Sequence, residues 1–283
     1  MNSETTEGDS MLKRIILILS VVVLFSGCAN KQKFNDQLRG AIRENPQIIL
    51  DALDENSVAL LAILDKGIQK REALKRLSKF EGEINNPAQP KILDERILLG
   101  NADAPVTIVE YSDFLCPFCS KGANVVSKLA TEQPDKYRLL FKHLPLHNNS
   151  RELALIYEAV ARIDKNKAYK FHNLVFAQQK ALYEDKTGAV LKNILKEINI
   201  DHARLQESVN SAQVREFLID DGQEAKKFKI NGTPTFLVNG VAIRGYVPVE
   251  RFEETVNYIL KKEKENAVRV EDGEICEDCL NQM

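Results

Sequence analysis

The chain has 283 residues, 44% of them apolar, which is enough for one large or two small domains with a real core. Its 39 Lys and Arg against 41 Asp and Glu leave a formal charge of −2, without the basic excess that a nucleic-acid binder concentrates on one surface. The low Gly and Pro content excludes a fibrous or wholly disordered chain, and five Cys are too few for a disulfide-built scaffold.

Residues 1–10 carry three acids and no base, and then comes Met11-Leu-Lys-Arg14. The apolar run Ile15–Phe25 follows, interrupted only by Ser20. A basic start, an apolar stretch and small residues before a cut site describe a secretory signal over residues 1–27, with Met11 as the expected true start. A spanning helix needs about 20 apolar residues, so this run is short for an anchor. Leu24-Phe-Ser-Gly-Cys28 resembles the lipobox of bacterial lipoproteins, which implies lipidation of Cys28. The alternative is an ordinary cleaved signal that leaves Cys28 an incidental thiol. Export places the chain in an oxidising compartment, where disulfide chemistry operates. The expected location is the bacterial cell envelope, on the periplasmic side, held through Cys28.

Residues 28–90 read as a helical segment and linker. From 34 to 80 the pattern is helical throughout, with Leu50, Leu53, Leu60, Leu64, Ile68, Leu74 and Leu77 on one face and Asp54, Glu55, Asp65, Lys70 and Arg71 on the other. Pro46 suits a helix start, and Glu83-Ile-Asn-Asn-Pro-Ala-Gln-Pro90 is rich in turn residues. So many leucines without a core of their own must pack either on the following domain or on another copy of the chain.

Beyond the linker the period becomes that of strands. Val106-Thr-Ile-Val-Glu-Tyr111 reads as a strand, residues 116–133 as a helix and Tyr137–Leu144 as a strand, which makes a βαβ unit. Helical patterns run from Ser150 to Phe228, with breaks expected at Lys165–Asn166 and Thr187–Gly188. Thr235–Val238 and Val241–Arg244 flank Asn239-Gly240, a strong hairpin signal. A last helix is expected from Pro248, with Phe252, Val256, Ile259 and Leu260 inward, and a charged tail over 264–283. The expected class is α/β. The order βαβ, helical block, ββα resembles a thioredoxin fold with an all-helical insertion at about 150–229, in a domain over 91–263.

Cys116-Pro-Phe-Cys119 sits where the strand hands over to the helix. A thiol at a helix N-terminus faces unpaired N–H groups and the positive end of the dipole, both of which favour the thiolate. Such thiols fall from about 8.5 into the range of roughly 3.5–7.5. Pro117 in the first turn sacrifices no hydrogen bond, and the spacing sets Cys119 one turn on, close enough to close a disulfide. A structural disulfide and half of a zinc site are the competing readings. Glu110 lies six residues before Cys116 in a strand of apolar and β-branched residues. If buried, its pKa rises and it can exchange protons near neutrality; by strict alternation it could equally face solvent.

These pieces, with Gly232-Thr-Pro-Thr-Phe236 before the second strand pair, resemble the DsbA-like thiol–disulfide oxidoreductases of the thioredoxin superfamily. The resemblance covers roughly residues 95–262 and rests on Val106–Tyr111, Asp113–Cys119 and Gly232–Phe236. It implies that Cys116 is the attacking cysteine and Cys119 the resolving one. Thr233 and Pro234, the latter in the family's cis-proline position, would line the substrate groove with Pro117 and Phe118. Glu110 would be the buried acid that helps move protons. The preceding helices, with Glu44-Asn-Pro-Gln-Ile-Ile-Leu50, resemble the N-terminal oligomerisation segment of the ScsC-like subgroup. Phe118 stands where the most strongly oxidising members carry His, and a phenyl ring cannot stabilise a thiolate as His⁺ does.

The function so implied forms or isomerises disulfide bonds in exported proteins, with no cofactor or metal. The expected partners are unfolded or misoxidised exported proteins, a membrane redox partner and a second or third copy of the chain. An envelope protein that holds copper or zinc with its CxxC pairs is the alternative. Cys276-Glu-Asp-Cys279 lies among acids that raise thiol pKa values, which suits a small tail disulfide better than a nucleophile. His143, His147, His172 and His202 show no metal-ligand spacing and read as core or surface residues.

Overall fold

The computed structural model describes residues 32–271, with side chains through residue 266. The expected signal, Cys28 and the Cys276/Cys279 pair lie outside the described residues. The chain divides into two compact units, one ending at Leu74 and the other beginning at Lys75. Among the described residues no helix is long and apolar enough to cross a membrane.

The first unit is helical: α1 over residues 32–44, α2 (Gln47–Glu55) and most of α3 (Ser57–Asn85), whose last turns belong to the second unit. The helical stretch expected over 34–80 is thus cut at Pro46, the expected helix start, and once more at Asn56. At the first cut Pro46 lacks an N–H and disfavours helical geometry in Asn45 before it; at the second, Asn56 caps α2. No residue between 32 and 74 is buried, and Leu53, Leu60, Leu64, Ile68 and Leu74 are all exposed.

The second unit is built on a five-stranded sheet in the order β1-β3-β2-β4-β5. Its strands are β1 (Ile97–Leu99), β2 (Val106–Ser112), β3 (Tyr137–His143), β4 (Thr235–Val238) and β5 (Val241–Arg244). β2 and β3 are parallel, joined through α4 (Pro117–Glu132), and the other pairs are antiparallel. Both central hairpin residues have positive φ, 47° at Asn239 and 90° at Gly240. A Cβ at Gly240 would stand 2.2 Å from the Ala88 carbonyl oxygen, so that position requires glycine.

The insertion comprises α5 (Ser150–Ile163), α6 (Lys165–Ala177), α7 (Gln179–Glu184), α8 (Ala189–Glu197), α9 (His202–Val209) and α10 (Ala212–Lys227). The final helix is α11 (Val249–Glu271). Val126 and Leu129 of α4 and Phe252, Val256 and Ile259 of α11 cluster with Val106, Ile108 and Phe236 of the sheet. Val109, Tyr111, Leu140 and Leu237 pack instead with Ala225 of α10 and Ile230. Both sides of β2 are therefore covered, and alternation along it offers no solvent side.

An ion network ties the insertion to the sheet. The Arg96 guanidinium, 7% exposed, bonds Glu158 of α5 at 2.6 Å and Asp221 of α10 at 2.6 Å. His143 joins it through Nε2 to Glu158 at 3.0 Å and through its N–H to Asp221 at 2.8 Å. Arg96 ends the 3-10 turn Asp94–Arg96 that leads into β1, a strand the sequence reading leaves out.

Candidate active site: a dithiol at a helix N-terminus

After Ser112 the chain must leave the sheet and turn into α4. Asp113, 2% exposed, holds that turn. Its carboxylate accepts from the N–H groups of Leu115 at 2.7 Å, Leu146 at 2.5 Å and His147 at 2.8 Å, and from Ser150 Oγ at 2.5 Å. Burial alone would raise its pKa, but Ser150, His147 and the backbone donors outweigh it and hold the carboxyl below its ordinary range.

Cys116 is the N-cap of α4, in extended conformation, and Pro117 opens the helix. The Cys116 thiol, in a residue 6% exposed, donates to the Thr233 carbonyl oxygen at 3.5 Å. Cys119 is fully buried one turn on, and its Sγ accepts from the Asp113 N–H at 3.5 Å. Both thiols are unbridged. The hydrogen bond from Cys119 is the main force that draws the Cys116 pKa down to about 5; it prevails over burial, with help from the Thr233 side chain and the N–H groups of Cys119 and Phe118. Cys119 moves the other way, pushed up by burial, by its bond to Cys116 and by the charge of Glu110. One thiol is thus primed and the other kept protonated.

The Thr233–Pro234 peptide bond is cis and lies beside Cys116. Gly122 lets α4 approach this loop: a Cβ there would stand 2.8 Å from the Phe236 ring and 3.2 Å from Pro234. Pro117 and Phe118 face outward, Phe118 with 57% of its surface exposed. Glu110 is wholly buried beneath the dithiol, where it accepts from Ser112 Oγ at 2.7 Å. Burial pushes it up to about 8, against the Ser112 hydrogen bond and with the charge of Cys116.

The structure therefore gathers Cys116, Cys119, Thr233, Pro234, Pro117, Phe118 and Glu110 at one place. It adds Gln179 of α7, whose side-chain amide donates to the Phe114 carbonyl at 2.7 Å and the Cys116 carbonyl at 3.0 Å. No sequence signal marked Gln179, since a side-chain bond across 63 residues leaves no local pattern. His143 and His172 are core residues, His147 bonds Asp113, and His202 opens α9. A cavity of about 420 Å³ lined by Arg96, Tyr157, Arg162 and Phe217 has neither cysteine in its wall. Among the described residues no three His, Cys, Asp or Glu side chains gather as a metal site.

A low-pKa thiol at a helix N-terminus, a protonated partner one turn on and a cis-proline loop beside them come together on a thioredoxin fold. The family model described as Thioredoxin matches residues 93–258, and the chain belongs to that family, among its DsbA-like thiol–disulfide oxidoreductases. The probable disulfide bond formation protein D of Bacillus anthracis is 33% identical over 149 residues, 50% of this chain and 69% of that protein. The oxidised crystal structure of BdbD from Bacillus subtilis is 27% identical with a TM-score of 0.54, over 62% of this chain and 97% of that one. A Na(+)/H(+) antiporter NhaA 1 of Mycobacterium sp. (strain KMS) is 29% identical over 151 residues, 52% of this chain but only 24% of the antiporter.

Proposed function

We propose that this chain forms or isomerises disulfide bonds in exported proteins of the bacterial envelope, with Cys116 as the exchanging sulfur and Cys119 as the resolving one. The observation that carries the reading is the paired environment of the two thiols, Cys116 lowered to about 5 and Cys119 fully buried and raised. A stabilised Cys116 thiolate favours the reduced dithiol, so the disulfide form acts as an oxidant. A substrate thiolate attacks Cys116 of that disulfide and Cys119 leaves as a thiolate. A second substrate thiolate then attacks the mixed disulfide and displaces Cys116. The enzyme gains two electrons, and a membrane redox partner removes them. In isomerisation the reduced Cys116 attacks a wrong disulfide instead, and Cys119 resolves the complex if the substrate does not.

Pro117, Phe118, Thr233 and Pro234 form the groove beside the sulfur, where an extended substrate segment pairs with the Thr233 backbone as an added strand. Glu110 exchanges protons for the buried thiol. Residues 28–90 are the lipid-anchored oligomerisation segment, attached through Cys28. They assemble two or three copies and raise the local thiol concentration on one substrate. The copper- or zinc-binding alternative gains no support among the described residues.

Two variants test the assignment. Cys116→Ser abolishes oxidation of a reduced test protein, whereas Cys119→Ser accumulates mixed disulfides visible as mass adducts on non-reducing gels. A Cys116→Ser chain that still oxidises its substrate removes the proposal.

A further inference from the structure

One hydroxyl stands between the buried acid and the buried thiol. Ser112, the last residue of β2, is 1% exposed, and its Oγ donates to Glu110 Oε1 at 2.7 Å. The same hydroxyl acts on the Cys119 sulfur, whose pKa it draws down against the larger effects of burial and of Cys116. The neighbouring Asp113 N–H, donating to Cys119 Sγ at 3.5 Å, fixes that sulfur over the end of the strand. Cys119 has no exposed surface, so its proton has no direct route to water. Glu110 Oε2 is buried without a partner, an acceptor atom that the fold leaves unused.

We propose that Ser112 is a proton relay between Cys119 and Glu110, an inference that rests on the proton-exchanging role given to Glu110 above. In the mixed disulfide the Cys119 thiol gives its proton to Ser112 Oγ while the Ser112 hydroxyl proton passes to Glu110. The Cys119 thiolate then attacks Cys116 Sγ and forms the intramolecular disulfide. The bond between Cys116 and the substrate sulfur breaks, and the substrate leaves as a thiolate with the electron pair. Ser112 has received one proton and lost one, and Glu110 ends protonated. In the oxidising direction the same path returns a proton to Cys119 as it leaves.

The surroundings of Glu110 time this transfer. From α4 it faces Cys116 and Cys119, and Tyr157 of α5 also feels its charge. β3 and β4 set Phe141 and Phe236 opposite it, neither of which titrates. The Cys116 thiolate raises the Glu110 pKa, and a mixed disulfide removes that charge. The carboxyl therefore releases its proton more readily at the stage when Cys119 needs an acceptor.

The test uses the full chain with Cys28→Ser, Cys276→Ser and Cys279→Ser, reduced and mixed with 5,5′-dithiobis(2-nitrobenzoate). The first release of thionitrobenzoate reports attack by Cys116, and the second reports resolution by Cys119. Ser112→Ala is expected to leave the first phase within about twofold and to slow the second by about tenfold or more at pH 7. The acid limb of the second phase moves to higher pH, and Ser112→Thr restores both rate and profile. An unchanged second phase, equal slowing of both phases, or a defect that Thr does not restore overturns the relay. Glu110→Gln separates the two ideas. If it slows the second phase where Ser112→Ala does not, the acid acts directly and the relay is wrong. If neither variant slows it, the role of Glu110 itself falls.

Discussion

Helices α2 and α3 of the first unit and α5 of the second carry the same kind of pattern, apolar residues recurring at three- and four-residue steps, yet their fates are opposite. In α5 that face is spent: Leu153, Ile156, Tyr157, Ala159 and Val160 are all buried. From residue 32 to 74 nothing is buried, and Ile63 and Leu64 stand 67% and 52% exposed. Periodicity therefore reports which face of a helix wants to leave water, and says nothing of what covers it. In the second unit the sheet covers it. In the first, nothing within the unit covers it, which is why that face carries the oligomer proposal.

The largest effect that can break this contrast is the removal of one ring from each side. Phe114, 1% exposed, packs with Phe141, Phe171 and Phe176 at centroid distances of 5.2, 6.1 and 5.1 Å. Phe114→Ala should cost about 3–5 kcal/mol in a urea melt of the second unit. Phe34, 62% exposed, should cost the same melt less than about 0.5 kcal/mol when changed to Ala. Comparable losses at the two positions would show that the first unit shares the stability of the second.

A smaller effect concerns polarity inside the packed unit. Glu110, with its pKa raised from 4.5 to about 8, keeps a proton in the folded state that the unfolded chain has already released. Between those two values the folded state binds more protons, so its stability falls as pH rises. Glu110→Gln has no such proton to lose. Melts of the reduced protein at pH 5 and pH 8 should show the wild type losing about 1–3 kcal/mol relative to the variant across that window. A constant difference would mean that Glu110 does not titrate there.

What the sequence disclosed follows the same division between local and distant causes. The Asn239–Gly240 hairpin and the passage from β2 through Cys116 into α4 were legible, because turn chemistry, a first-turn proline and a two-residue cysteine spacing are all local. β1 was not legible, since Ile97–Leu99 is a strand only through its pairing with β3. The helix ends near Gln178 and Asn210 were also missed, although Asn199, with φ 51°, ends α8 in the left-handed manner favoured by Asn. The side to which Glu110 points was undecidable from alternation, because helices cover both faces of its strand. Gln179 and the bonds of Arg96 to Glu158 and Asp221, which join residues 62 to 125 positions apart, have no trace in any short window.

The smallest stability effect belongs to the exposed leucines, and it decides what covers them. Exposed apolar faces of this extent mark interfaces, and short helices without tertiary packing are marginal in water. If copies of the chain bury this face against one another, Leu60→Glu with Leu64→Glu places charge in the seam. The melt of the second unit should then move by less than about 0.5 kcal/mol, because neither residue is part of its core. The mass measured by light scattering on the full chain should nevertheless fall from that of a dimer or trimer to that of one chain. Helical circular dichroism should fall with it, because the separated helices lose the packing that holds them. If the parent chain is already a monomer, the leucines serve no self-association. The isomerase reading, which needs several Cys116 sites facing one substrate, then loses its physical basis, while plain oxidation by a single dithiol remains.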